Sequence, residues 1–135
     1  MSPPAENLVR FYPSAPLSAQ EAREFVAAEL RRAEASTSAV NDLGLIVSEL
    51  VANSIEHGDG GTIVVRVDPD AGACCTVTVG SGLASKRPPL DPATWTVAPP
   101  DQRSGRGLGI VRHLADEITV ALVSGRLDIT CRRRR

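Results

Sequence analysis

The sequence predicts an α+β fold, a two-layer sandwich in which helices pack on one face of a mixed β-sheet. At 135 residues the chain fits a single domain that buries a sizeable core. Its hydrophobic periodicity gives the order strand, helix, helix, two strands, long loop, helix, two strands. Aromatic residues make up 3% of the chain, so the core between the two layers must consist of Val, Leu, Ile and Ala. That arrangement of elements favours one sheet with helices on one side.

The first half of the chain reads as one short strand followed by two helices. The strand is "LVRFYP" at 8–13. Ser18 and Glu21 form a capping-box pattern at the start of the first helix. Ser38 is a plausible cap for a second helix that runs to about His57, before a group of glycines. The apolar positions of the first helix recur at helical spacing: Ala22, Phe25, Val26, Leu30 and Ala33.

The second half contributes four strands, a long loop and a third helix. "TIVVRV" at 62–67 is a β-branched run suited to a central strand, and "GACCTVTV" at 72–79 follows the turn "DPDAG". The proline-rich segment 80–103 has little periodicity, and a loop of that length is usually functional, often a lid. A helix is predicted at 105–115. "EITVALV" and "RLDITC", joined by Ser124 and Gly125, form a closing hairpin.

Composition narrows the classes of partner. A net charge of −1 gives no global attraction to nucleic acid or to a membrane, and the scarcity of aromatic residues argues against stacking on single-stranded bases. The four arginines at 132–135 are expected to form a solvated, partly disordered end. Cys74, Cys75 and Cys131 lack metal-ligand spacing and read as reduced thiols. With no leader and no long apolar run, a cytoplasmic protein is expected.

The stretch "SELVANSIEHGDGG" carries Glu49, Asn53 and His57 four residues apart on the second helix. Glu49 and Asn53 lie roughly 80 to 100° around the helix from the centre of its apolar stripe, at the boundary between core and surface. A carboxylate can act as a general base, and an amide oxygen suits Mg²⁺ that phosphates also hold. Alone, the spacing is weak evidence for a site, and a solvated helix edge is the favoured interpretation.

The stretch "SGRGLGIV" at 104–111 places alternating glycines at the start of the third helix. Glycines there allow backbone N–H groups to approach an anion, which a helix N-terminus also favours. A flexible junction between loop and helix explains the same pattern. The stretch is not a Walker A loop, because Gly-Lys-Ser/Thr is absent, and it follows a loop where a dinucleotide fingerprint would follow a strand.

In combination, the two stretches resemble the motifs of the GHKL (Bergerat) ATP-binding fold, the histidine-kinase-like ATPases. The sequences "SELVANSIEHG" and "GRGLGIV" are most similar to the corresponding motifs of the bacterial anti-sigma factor serine-protein kinases. The resemblance covers about residues 8–131, nearly the whole of one domain spanning 1–135. It implies ATP and Mg²⁺ as cofactors.

The resemblance also implies site residues. Glu49 matches the catalytic base and Asn53 the Mg²⁺ ligand, while His57 would line the mouth of the ATP pocket. Residues 82–103, beginning at Gly82, correspond to the mobile lid. The family's glycine-rich motif, which closes over the phosphates, corresponds here to Gly105, Arg106, Gly107, Leu108 and Gly109.

One position departs from the family pattern. The family places an Asp after the second strand, where its carboxylate receives the adenine amino group. Here that segment reads "VTVGSGLAS", with Ser81, or Gly80 in another register, at the Asp position. A serine hydroxyl is shorter and uncharged, and the charge-assisted bond that it replaces is worth roughly 1.5–3 kcal/mol.

Three functions are therefore open. The first is an anti-sigma factor that sequesters a sigma factor in a stress response and phosphorylates a serine of an anti-anti-sigma (STAS-type) partner, with a homodimer allowed. The second is a non-catalytic antagonist of the same fold with a degraded adenine site. The third, least favoured because no phosphoacceptor helix precedes the fold, is the ATP-binding domain of a histidine kinase.

Overall fold

The computed structural model describes residues 8–83, 92–94 and 106–135. These residues form five strands, three α-helices and a short 3-10 turn at Pro92–Thr94. The predicted lid, 82–103, therefore lies mostly outside the described residues. The elements are β1 Val9–Tyr12, α1 Ser18–Arg32, α2 Thr37–His57, β2 Ile63–Ala71, β3 Cys74–Gly82, α3 Arg106–Leu114, β4 Glu117–Val123 and β5 Arg126–Arg134.

The predicted α+β sandwich is confirmed, and its strands form one sheet in the order β1-β2-β3-β5-β4. Every described pairing is antiparallel, where a mixed sheet was expected. The reason lies in the connections. Two helices between β1 and β2 return the chain to the same end of the sheet, so those neighbours run in opposite directions. β5 inserts between β3 and β4, which separates the two strands that run the same way.

The core lies between one face of the sheet and the helices. Alternate residues of β2, β3 and β5 are buried, which is the period-2 pattern of a sheet covered on one side. α2 meets them with the predicted stripe of Leu43, Val47 and Leu50, each fully or almost fully buried. Burying one such Leu or Val stabilises the fold by roughly 1.5–3 kcal/mol, so the stripe fixes which flank of α2 is left for other contacts.

The two helix starts differ from the predicted caps. Ser18 begins α1 but does not form the capping box, because its hydroxyl is buried and donates a hydrogen bond of 2.7 Å to the Pro13 carbonyl. α2 is capped by Ser36, whose side chain accepts a bond of 3.1 Å from the Ala39 N–H, and Ser38 lies inside the helix. Both differences arise from tertiary or backbone geometry that residue type alone does not fix.

The strands extend further than their sequence patterns indicate. β2 continues through the predicted "DPDAG" turn to Ala71, with an irregular register between Asp68 and Ala71. β3 continues to Gly82, so Ser81 and Gly82 are strand residues and not the beginning of a loop. Their partners are Leu127 and Arg126 of β5. Glycine lowers strand propensity, but pairing with a neighbouring strand overrides that preference here.

The arginine-rich end is ordered, which contradicts the expected solvated tail. β5 includes Arg132, Arg133 and Arg134, paired with Thr76, Cys75 and Cys74 of β3. The Arg133 guanidinium contacts Asp42 of α2 at 3.0 Å and Asp116 at 3.4 Å. These two carboxylates raise the pKa of Arg133, so the cation ties β5 to the helix layer. The arginines that suggested a free end therefore belong to a strand or form ion pairs with other parts of the fold.

Two further expectations concern cysteines and membranes. Cys74, Cys75 and Cys131 are free thiols, and burial raises the pKa of Cys131 to about 12. Among the described residues, none of the helices combines the length and the apolar character that crossing a bilayer requires.

Candidate functional site

The flank of α2 beside its buried stripe carries the three predicted site residues. Glu49, Asn53 and His57 are half-buried, between fully buried neighbours on one side and exposed ones on the other. This is the boundary position that their angular offset from the stripe predicts. α2 ends at His57 because Gly58 leaves the helical conformation, with its N–H still bonded to the Ser54 carbonyl at 2.8 Å. The helix therefore delivers all three side chains to one edge of the sandwich.

A cleft opens between the end of α2 and strands β3 and β5. Its enclosed part has a volume of about 10 Å³, roughly the room of one water molecule, and the surrounding depression measures about 290 Å³ when the open solvent in it is included. Asn53 and His57 line it, whereas Glu49 does not. Its described walls are Asn53, Ser54, His57, Gly58, Val79, Ser81, Leu83, Leu127 and Ile129. Four of these nine residues are aliphatic and four have polar side chains, so apolar walls and polar groups face the same space, as they do in small-molecule sites.

The structure decides which residue of β3 faces this cleft. Ser81 continues the buried series of Val77 and Val79, which faces the helix layer, and it lines the cleft. Gly80 faces the opposite side of the sheet, where any side chain would collide with the carboxylate of Asp128. Of the two registers left open by the sequence, the one with Ser81 at the cleft is therefore observed, because successive strand residues point to opposite faces.

A pair of hydroxyls closes the inner end of the cleft. The Ser81 hydroxyl donates a hydrogen bond to the Ser54 hydroxyl, with 3.1 Å between the two oxygens. Ser81 is 7% exposed and Ser54 is 9% exposed. Sequence reasoning overlooked Ser54, although it directly follows Asn53 and lies on the apolar side of α2. A hydroxyl on the buried side of an otherwise aliphatic helix is a signal that would have identified it.

Glu49 contacts the second glycine-containing stretch, far away along the chain. One carboxylate oxygen of Glu49 lies 2.6 Å from the point that a Cβ on Gly107 would occupy. The carboxylate therefore packs against the bare Cα of Gly107, in the first turn of α3. The N–H groups and dipole at a helix start favour negative charge, which suits a carboxylate at this place. The two stretches singled out in the sequence thus meet in space through Glu49 and Gly107.

The remaining residues of the glycine stretch fall in different environments. Gly105 lies outside the described residues, and Arg106 is the first residue of α3. Leu108 is 7% exposed and belongs to the hydrophobic core, so its side chain anchors α3 and only its backbone could serve a ligand. Gly109 is also buried. Leu108 therefore has a structural role that the resemblance did not assign to it.

A second residue missed by sequence reasoning, Asp59, lies at the rim. Its N–H donates to the Gly82 carbonyl at 3.2 Å, and its carboxylate accepts a bond of 2.8 Å from the Gly61 N–H. The same carboxylate occupies the space where a side chain on Gly82 would lie. The α2–β2 loop and the end of β3 therefore approach closely through the space that the missing side chain of Gly82 leaves. Asp59 is exposed and is not among the residues that line the cleft.

The donor set of the cleft can be compared with what Mg²⁺ requires. Among the described residues, no group of three or more His, Cys, Asp or Glu side chains is arranged to hold a metal ion. Asn53 offers a neutral carbonyl oxygen at the cleft wall. Mg²⁺ bound with a nucleotide takes most of its ligands from phosphates and water, and needs only one or two from the protein. The chemistry of Asn53 fits an ion of that kind.

Comparison with known proteins bears on the family and the fold. The family model described as "Histidine kinase-like ATPase domain" matches residues 12–132. A solved structure of the RsbU and RsbW domains of Rv1364c from Mycobacterium tuberculosis is similar in fold, with a TM-score of 0.60 and 17% sequence identity. The similarity covers 93% of this chain and 32% of the other, so this chain spans about a third of that protein's length. No curated protein matches by sequence.

Proposed function

The chain belongs to the histidine kinase-like ATPase domain family, and we propose that it is an anti-sigma factor that binds Mg-ATP and phosphorylates a serine of a STAS-type anti-anti-sigma protein. In the unphosphorylated state of that partner, the sigma factor would be released; in its phosphorylated state, the sigma factor would be sequestered. The contact between Glu49 and Gly107 carries the proposal, because it joins the two motifs that together resemble anti-sigma factor serine kinases.

The cleft supplies the seat for the nucleotide. Its aliphatic walls, Val79, Leu127 and Ile129, suit the flat faces of a purine base, and the two serine hydroxyls lie at the buried end. The start of α3 is the place at which backbone N–H groups would meet phosphates. Base and phosphates would then lie on either side of Asn53, with Gly105–Gly109 closing over the phosphate end as the resemblance implies.

The proposed transfer gives Glu49 the role of general base. The serine oxygen of the partner forms a bond to the γ-phosphorus, the bond from that phosphorus to the β,γ-bridging oxygen breaks, and ADP leaves. The serine proton moves to the Glu49 carboxylate. General-base catalysis contributes typically 10²- to 10⁴-fold, and positioning and charge neutralisation provide most of the remainder in phosphoryl transfer.

Asn53 has a different role from Glu49. Its amide oxygen would hold Mg²⁺ together with the phosphates, and the ion, when bound, neutralises the phosphate charge. Because that contact exists already in the bound state, Asn53 should matter for nucleotide affinity as well as for transfer. Of the reacting groups, Glu49 would meet only the incoming hydroxyl, so it should matter for transfer more than for nucleotide affinity.

The proposal is tested first by calorimetric titration with ATP, with and without Mg²⁺. Wild type should bind Mg-ATP more tightly than ATP alone, and Asn53→Ala should lose that difference. Asn41→Ala is a matched control, because Asn41 is an exposed asparagine of the same helix. Absence of ATP binding by the wild type, in either condition, would contradict the proposal.

Transfer is tested with γ-labelled ATP and a STAS-type protein as acceptor. Glu49→Gln should bind Mg-ATP within a few-fold of wild type and lose transfer by about 10²-fold or more. Equal transfer by Glu49→Gln and wild type would remove Glu49 from the chemistry.

A second candidate function is supported by Ser81. The cleft presents a hydroxyl where the family places the adenine-binding carboxylate, and this favours a domain that binds protein partners without catalysis. Sigma-factor binding by the wild type, combined with no ATP binding and no transfer, would support this function over the first.

A further inference from the structure

The buried hydroxyls of Ser54 and Ser81 set the chemistry of the inner end of the cleft. Both side chains are more than nine-tenths buried, and their oxygens are 3.1 Å apart. Neither residue carries a charge. Helix α2 and strand β3 therefore fix the positions of the two oxygens. The hydroxyl hydrogens can still turn about their C–O bonds.

Each hydroxyl has one proton to donate and two lone pairs with which to accept. In the observed arrangement Ser81 donates to Ser54, which leaves the Ser54 proton and the lone pairs of Ser81 for a third group. Reversing the bond exchanges these roles at little cost, because only the two protons rotate. The pair can thus present either an acceptor or a donor from the same oxygen positions.

The other described walls do not add a fixed preference. Asn53 offers both an amide donor and a carbonyl acceptor, and a neutral His57 offers one of each. The remaining walls are aliphatic or glycine. The exposed carboxylate of Asp59 packs against Gly82 and accepts a hydrogen bond from the Gly61 N–H, and Asp59 does not line the cleft. No carboxylate side chain therefore lines this space from the described part of the chain.

A carboxylate at the end of such a cleft would select one kind of purine. Ionised, it only accepts hydrogen bonds, so it attracts the 6-amino group of adenine and repels the 6-oxo oxygen of guanine or hypoxanthine. Specificity of this kind depends on the penalty against the wrong ligand as much as on the bond to the right one. A hydroxyl pair that can donate or accept neither favours the 6-amino group nor repels the 6-oxo oxygen.

We infer that the cleft, if it binds a nucleotide as proposed above, accepts purine nucleotides with either a 6-amino or a 6-oxo group. The Ser54–Ser81 pair donates to a 6-oxo oxygen and accepts from a 6-amino group by rotating its protons. The site therefore uses the purine shape and the phosphates for affinity, and discriminates weakly between bases.

The test compares ATP with inosine triphosphate, which differs from ATP only at the 6-position and the adjoining ring nitrogen. Calorimetry in Mg²⁺ should give dissociation constants for the two nucleotides that differ by less than tenfold in the wild-type protein. A difference of tenfold or more overturns the inference while leaving the proposed function intact. Binding of neither nucleotide overturns the proposed function and this inference with it.

A substitution sharpens the comparison. Ser81→Asp places an acceptor-only group at the buried end, and ATP should then bind about tenfold more tightly than in wild type, with inosine triphosphate weakened. Asp59→Asn is the matched control, since it removes a carboxylate outside the cleft and should leave the ratio of the two affinities unchanged. A ratio that changes in Asp59→Asn and not in Ser81→Asp would assign base recognition to Asp59 and overturn the role of the serine pair. The wild-type ratio decides the inference even if Ser81→Asp does not fold.

Discussion

Gly107→Ala should separate stability from catalysis, because the added methyl group meets the side chain of Glu49, the proposed general base, and not the backbone. Its Cβ would lie 2.6 Å from one Glu49 oxygen, whereas ordinary contacts begin near 3.4 Å. The carboxylate must therefore retreat by about 0.8 Å, and it can, because it is the end of a flexible side chain. Among the described glycines, positive φ occurs at Gly60, Gly72 and Gly125, so Gly107 itself has no backbone need for glycine.

The expected magnitudes follow from these distances. Replacing glycine by alanine in a helix gains up to about 1 kcal/mol, and displacement of the carboxylate offsets part of this. The free energy of unfolding should therefore stay within about 1 kcal/mol of wild type. Misplacement of a catalytic group by about 1 Å can reduce the rate roughly 10²-fold. Transfer to the STAS-type partner should fall by about that factor, while the affinity for Mg-ATP changes only a few-fold.

The assay combines urea unfolding, calorimetry with Mg-ATP and transfer from labelled ATP on the same preparations. Gly44→Ala is the control, since Gly44 is also a helical glycine and its Cβ would make an ordinary 3.4 Å contact with Arg23. That variant should be slightly more stable than wild type and fully active. If Gly107→Ala transfers phosphate as fast as wild type, the fixed position of Glu49 is not needed. If affinity falls as far as transfer does, the substitution damages the nucleotide seat and the reasoning also fails.

Three further predictions concern other parts of the fold. In the native protein at about pH 8, iodoacetamide should modify the half-buried Cys74 before Cys131, because burial raises the Cys131 pKa to about 12 and removes its thiolate; equal rates by mass spectrometry would contradict this. A hydrogen bond from the Arg134 N–H, together with the neighbouring Arg133 cation, lowers the pKa of Asp116, so its stabilising effect is present above the unfolded pKa near 3.8 and is lost as pH falls through the lower folded value. Urea unfolding of Asp116→Asn should therefore differ from wild type at about pH 6 and converge with it in acid, with a small difference because the side chain is half exposed. Gly58→Ala should lower the free energy of unfolding by about 1 kcal/mol or more, since its Cβ would overlap a backbone carbonyl of α2 that cannot move aside; unchanged stability would refute this.

The sequence alone determined the elements and the two motifs. Helix and strand periodicity are local properties, so the buried stripe of α2 and the flank carrying Glu49 and Asn53 followed from residue spacing. The glycines near 105–109 indicated the start of α3, because the backbone freedom of glycine is also a local property. The fold class followed from the order of these elements, because one covered face is the stable solution for a sheet flanked by this set of helices.

Only the tertiary structure decided how distant residues meet. The contact of Glu49 with Gly107, the choice of Ser81 over Gly80 at the cleft, and the use of Arg133 to bind Asp42 each depend on strand register and helix packing. A shift of one residue in register would place Gly80 at the cleft and turn Ser81 to the other face. The register is fixed by pairing along the whole of β3 and β5. The short stretch "VTVGSG" therefore does not contain enough information to predict which of its residues faces the cleft.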